Sequence, residues 1–200
     1  MNRLTFKQRQ WLQREQEILR AAAHLIREHG YSNVSMDEIA TEVGVSKPTL
    51  YQHFRRKDDM IAATMIRSMQ EMDEFIVQMG QQPVIDKLAA ILRHMLEQQH
   101  APEHIPAVIV QHHVIEALDT NEDVIAYRNR VGEHLFRLVA EGKAHGEIAL
   151  DVDDTVVIGS MFALLHVLEG PKAYRHPDPA PLIDSIVNMF VRGIRNPQAE

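Results

Sequence analysis

The chain contains no cysteine. That removes disulfides, zinc–thiolate sites and thiol nucleophiles together. Several motifs of common chemistries are missing too: there is no glycine-rich phosphate loop, no G-x-S-x-G and no H-E-x-x-H. Long apolar runs are also missing. The longest, TVVIGSMFALLHVL at 155–168, lies between Asp154 and Glu169, well short of the about 20 residues a membrane-spanning helix needs. It reads as a buried helix. The opening stretch MNRLTFKQRQ is positively charged but has no apolar run behind it, which is not the pattern of a secretory signal. These absences lead to the expectation of a cytoplasmic globular chain with no membrane partner.

Metal chemistry has weak support. Nine histidines follow residue 57. Glu97-x-x-His100 has the spacing used by di-iron bundles, but those need a second copy and two further glutamates, and no second copy occurs. His100 and His104 are separated by Pro102, and the adjacent His112 and His113 point in different directions. The expectation is no metal, no cofactor and no enzyme, with a helical-bundle metal enzyme as the remote alternative.

The charge present is unevenly placed. Residues 1–57 hold ten Lys/Arg and six Asp/Glu, the remainder eleven and twenty-two, within a net charge of −7. No acid occurs between Glu42 and Asp58, whereas Lys47, Arg55, Arg56 and Lys57 all do. Such asymmetry suggests a nucleic-acid-facing end on an acidic body. The apolar spacing is helical almost throughout, recurring at three and four residues. A first helix is expected from about Thr5 or Gln10 to His29, stopped by Gly30, with Ile18, Ala22, Leu25 and Ile26 as its inward stripe and Trp11 in line with it. Ser35 to Glu38 is a capping box opening a second helix, broken at Gly44. Ser46 caps a third, in which Leu50 and Phe54 share the inner face. Further helices are expected over about 57–79, 84–99, 106–118, 121–141 (capped by Thr120), 153–169 and 179–194.

A short helix, a glycine turn and a second short helix make a helix-turn-helix. To enter a major groove the second helix must be slim and free of acid, with an apolar inner face. Residues 46–54 meet these demands, with Pro48 in the first turn where no intrahelical bond is lost.

At this point GYSNVSMDEIATEVGVSKPTLYQHFRRKDDM, residues 30–60, resembles the DNA-binding domain of the tetracycline-repressor (TetR) family. The matching pattern is Gly30-Tyr31 followed by Ser35, then Ile39-Ala40, then Gly44-Val45-Ser46, Thr49-Leu50-Tyr51 and His53-Phe54, then Lys57 and Met60. The likeness covers about residues 12–66. It implies an all-α fold of about nine helices, with a three-helix DNA-binding domain over 1–57 and a larger helical domain over 58–200 for effector binding and dimerisation. It implies phosphate contacts from Ser35, Tyr51, His53 and Lys57, and positions at or near base edges for Ser46, Lys47, Pro48 and Thr49. Two positions depart from the pattern: Gln52 stands where an aromatic residue is frequent, and Pro48 where glycine is. Gln52 can read adenine with two hydrogen bonds. The basic first fourteen residues are either an arm on the DNA or a solvated tail.

The same resemblance implies a homodimer through the last two helices, a palindromic double-stranded operator, and release by a small apolar or amphipathic effector. Candidate effector contacts are Met65, Met69, Met95, His113, Tyr127, His134, Phe162 and His166, although a methionine stripe at helical spacing also suits a core. The alternatives are an activator or a DNA-binding protein that needs no ligand.

Overall fold

A computed structural model describes residues 5–99, 118–168 and 178–198. Among them are eight α-helices and a single isolated β-bridge, Ile148 to Arg195. The helix expected over 106–118 lies almost wholly outside the described residues. The chain forms two compact units. One comprises Met1–Arg67 with Ala101–Ile125, the other Ser68–His100 with Ala126–Glu200. This division differs from the expected boundary at residue 57, because a single helix begins in the first unit and continues into the second.

In the first unit, α1 (Phe6–His29) buries Ile18, Leu19, Ala22, Ala23 and Ile26. It begins with a capping box that the sequence reading did not identify: Thr5 and Gln8 bond reciprocally. The helix begins at the earlier of its two expected starts, so residues 6–14, also read as an arm or a tail, are helical. A 3-10 turn at Tyr31–Asn33 leads to α2 (Met36–Val43), whose Ser35–Glu38 box is formed as expected. Gly44 then turns left-handed, with φ 73° and ψ 33°, a region where a Cβ costs about 1–2 kcal/mol. The next helix, α3 (Lys47–His53), is capped by Ser46. Lys47 is its first residue rather than its cap. The start of α4 (Lys57–Gln78) buries Met60, Ile61, Ala62 and Thr64.

The second unit holds the rest of α4, α5 (Val84–Gln98), most of α6 (Glu122–Ala144), α7 (Asp154–Leu165) and α8 (Pro179–Ile194). Its core runs through Leu88, Ile91, Leu92, Leu135, Val139, Ile148, Val157, Met161 and Phe190. Asn121 accepts from the backbone of the first turn of α6, at 3.0 Å from Val124 N. Pro83 offers α5 no side-chain cap, and Glu147 fills that place from 62 residues away, accepting from Ile85 N at 2.9 Å. The end of α8 is stapled to the same turn: Ala149 N donates to Ile194 O at 2.9 Å and Asn196 Nδ2 to Gly146 O at 2.8 Å.

That staple makes one glycine irreplaceable. A Cβ on Gly142 would stand 2.6 Å from Ile148 Cδ1, 2.9 Å from Ile148 Cγ1 and 3.1 Å from Val84 Cγ1. Ile148 is fully buried and its backbone is pinned, so it cannot yield. Gly142→Ala is expected to cost about 1–3 kcal/mol by overpacking. Gly132→Ala, on the same helix but meeting nothing within 4 Å, is expected to gain about 0.4–1 kcal/mol. Paired thermal melts check both, and equal shifts would refute the packing account.

Candidate functional site

The α3 surface sorts its residues clearly. Leu50 and Phe54 are buried beneath it. Lys47, Pro48, Tyr51 and Gln52 are exposed and Thr49 is half-buried. No acid lies in its first turn. The Ser46 hydroxyl accepts from Thr49 N at 3.3 Å and pairs with the Thr49 hydroxyl at 2.8 Å. Lys47 Nζ reaches Asp37 Oδ2 at 2.5 Å, with both side chains more than half exposed. Such a surface pair is worth little, so the ammonium can exchange its carboxylate for a phosphate.

Three of the expected contact residues have partners within the chain. The first is Ser35. Its backbone N–H and its hydroxyl both donate to Glu38, at 2.7 and 2.8 Å. These bonds hold the Glu38 carboxyl below its usual range, and a phosphate contact at Ser35 would have to open the box beside that charge.

The second is His53. Three residues after Leu50, it shares the inward side of α3, and its side chain is only 3% exposed. The ring stacks on Trp11, with centroids 3.7 Å apart and planes at 27°. The ring thus faces α1 rather than open solvent. The i, i+3 spacing from Leu50 was the available signal. Trp11, for its part, lies outside the buried stripe of α1 and keeps 43% of its surface exposed.

The third is Lys57. Its ammonium donates to Tyr31 O and Val34 O, each at 2.5 Å, and sits 4.2 Å from the centroid of the Tyr31 ring. Burial lowers its pKa against the raising influence of Asp58 and Glu38. Tyr31 donates its hydroxyl to Asp58, and burial followed by that bond pushes its pKa up. Lys57 thus ties the 3-10 turn to α4 from within. Arg55 and Arg56 are exposed at the end of α3, with Arg56 paired to Asp58.

In the second unit the expected effector residues separate. Met69 and Met95 are partly buried against the core. Tyr127 accepts a hydrogen bond from Gln70 Nε2 at 2.8 Å. His134 Nδ1 lies 3.3 Å from Asp73 Oδ1, without the alignment of a hydrogen bond, and both atoms are buried and unpartnered. Arg130 approaches the other oxygen of Asp73 at 3.5 Å. The chain therefore brings Tyr127 and His134 of α6 together with Gln70 and Asp73 of α4. Phe162 and His166 are instead at the surface of α7. Met65 belongs to the first unit, and His113 lies outside the described residues. A shallow cleft lined by Arg93, Glu97, Pro179, Ala180 and Ile183 includes none of the expected residues. Among the described residues no group of three or more metal-ligating side chains converges, and no helix is long and apolar enough to cross a membrane.

A capped helix, a left-handed glycine and a short acid-free helix on an apolar underside define a DNA-binding helix-turn-helix protein. Residues 18–64 match the family described as "Bacterial regulatory proteins, tetR family". An uncharacterized HTH-type transcriptional regulator of Mycobacterium tuberculosis is 41% identical over 68 residues, 32% of this chain and 29% of its own length; the alignment thus spans less than a third of that relative. The fatty acid metabolism regulator protein of Bacillus subtilis is 24% identical over 194 residues, 90% of this chain and 95% of its own. The crystal structure of AibR in complex with isovaleryl coenzyme A and operator DNA superposes with a TM-score of 0.66, at 24% identity, over 88% of this chain and 97% of that one. Over residues 18–64 the chain is therefore similar to the tetR family of bacterial regulatory proteins, and its fold is similar to that of AibR. The proteins it resembles are named as transcriptional regulators, not enzymes.

Proposed function

We propose that the protein is a dimeric repressor that reads a palindromic operator through α3 and is released by a small effector held in the second unit. The observation that carries the DNA reading is the outward row Lys47, Pro48, Thr49, Tyr51 and Gln52, free of acid, over a buried Leu50 and Phe54. One seven-residue helix reads too few bases alone, and a twofold pair reads two half-sites.

The outer face of α7 suits the second copy. Val156 and Phe162 are 61% and 45% exposed. Gly159, between them, meets nothing within 4 Å of a built Cβ, so no contact within the chain calls for a glycine there, whereas close approach of another helix does. Phe162→Asp is expected to give a folded monomer in light scattering, with weakened operator binding. An unchanged mass would remove this face from the dimer.

The effector reading rests on the partly buried Met69 and Met95 and on Asp73 and His134, whose facing Oδ1 and Nδ1 are buried without a hydrogen bond, and which offer an apolar wall and a polar anchor. Acyl thioesters of coenzyme A are the first probes, since AibR was crystallised with one. An effector releases the operator only if it prefers the non-binding state, and its binding to the native protein must raise the melting temperature.

The test is anisotropy binding to duplexes tiled from upstream of the gene, at two salt concentrations. Lys47→Ala is expected to flatten the salt slope by about one unit. Tyr51→Ala should weaken all duplexes alike, and Gln52→Ala should relax preference at particular base pairs. His134→Ala should abolish release by acyl thioesters and leave DNA binding intact. If Lys47→Ala and Tyr51→Ala both bind as the parent does, α3 is not the reading helix.

A further inference from the structure

We propose that Trp11 and Glu15 of α1 form a clamp that positions the recognition helix through His53. The contact has three parts. The indole covers the imidazole face to face, with centroids 3.7 Å apart. The imidazole Nδ1 is buried without a hydrogen-bond partner. Glu15 Oε2 stands 3.8 Å from that nitrogen. This explains why α1 runs about three turns beyond its buried stripe. Residues 5–14 are all exposed, Phe6 and Leu12 included, so those turns gain little from burial. What they add is the one indole that closes over the end of α3.

The need for a clamp follows from the size of α3. It has seven residues, and Leu50 is the only apolar one among them that is buried. A single side chain fixes the depth of a helix but not its rotation about its own axis, and base contacts depend on that rotation. Phe54 holds the helix end from one side, and its ring centroid lies 6.5 Å from that of His53. The Trp11–His53 stack holds it from the α1 side. Trp11 touches no base in this account. It acts through His53 and is a positioning residue.

The charge state of His53 then matters. Burial lowers its pKa, against the raising influence of Glu15, with Arg14 adding a lowering one. Arg14 is itself paired to Glu17 at 2.9 Å. A histidine whose folded pKa is depressed contributes stability that is complete above its unfolded value of about 6.5. That contribution is lost as pH falls through the folded value. Acidification is therefore expected to loosen the clamp.

Trp11 is the sole tryptophan of the chain, so its emission reports the contact directly. In the full-length protein, emission is expected to be quenched as pH is lowered from about 8 to about 5, because an imidazolium forms against the indole. His53→Gln should abolish that transition. On the tightest-binding upstream duplex at neutral pH, Trp11→Ala should lose about tenfold in affinity, the scale of one lost base contact. Trp11→Phe, which keeps a stacking ring, should restore it. Emission that is flat with pH, or that titrates identically in His53→Gln, overturns the clamp. So does a Trp11→Ala protein that binds like its parent. If the parent binds no duplex, the DNA reading falls with its positioning role, and the fluorescence titration still decides whether the contact exists.

Discussion

Leu50→Ala is expected to unfold the reading head before it changes any base contact. Leu50 is fully buried and is the sole buried apolar residue within α3. Truncating a buried leucine costs about 2–5 kcal/mol, through lost transfer energy and the cavity left behind. A whole domain is stable by only about 5–15 kcal/mol, and one short helix has few other contacts with which to offset the loss. In a urea titration followed by Trp11 emission, the transition of the first unit should shift to markedly lower denaturant. Amides of α3 should exchange freely, while those of α5 and α8 remain protected. Operator binding should fall for every sequence alike. A loss below about 1 kcal/mol would mean that α3 is not held by its underside.

Lys57→Met is the second large effect, and here the structure gives the lysine partners within the chain. Resemblance placed the ammonium on phosphate. The fold spends two of its donors on Tyr31 O and Val34 O and lays it against the Tyr31 ring. Both carbonyls belong to buried residues. Methionine keeps the apolar stem but strands them, at about 1–3 kcal/mol for each group left unsatisfied. The melting temperature should therefore drop while the salt slope of DNA binding stays as in the parent, because no phosphate contact is lost. A slope flattened by about one unit at unchanged stability would return Lys57 to the phosphates and refute the internal role. Lys47→Ala makes the matched comparison, since it should show the opposite pattern.

The contrast between these two lysines shows what a linear motif transmits. Both begin a helix within the family-like stretch, and composition treats them alike. Lys47 begins a helix on an exposed edge with one surface carboxylate nearby. Lys57 begins a helix beneath a turn whose carbonyls point at it. The difference depends on residues 23 and 26 positions away, which no local pattern reports. His53 teaches the same lesson from the opposite side. Its spacing from Leu50 marked it as inward-facing, but the partner that covers it, Trp11, is 42 positions earlier on another helix.

The second unit was legible in outline and less so in its site. The apolar spacing placed α4, α5, α7 and α8 within a few residues of their observed ends, and Asp178 caps α8 ahead of Pro179. The list of effector contacts was gathered by residue type. The fold brought Tyr127 and His134 together with Gln70 and Asp73, and left Phe162 and His166 on the surface. Gln70 and Asp73 were missed because a glutamine and an aspartate on a long helix look like solvated positions. Only the approach of α6 turns that side of α4 inward.

What the sequence determined by itself was therefore local. Helix periodicity, the Ser35–Glu38 box, the Ser46 cap, the left-handed Gly44 and the acid-free stretch before Asp58 each act within one or two turns, so they can be read in order along the chain. The tertiary structure alone decided which polar groups face inward: Lys57 on its carbonyls, His53 under Trp11, Glu147 capping α5, and Gly142 against Ile148. The physical reason is that a polar side chain has no fixed preference for surface or interior. It goes wherever a partner distant in sequence compensates the loss of water, and that partner is set by how the helices pack.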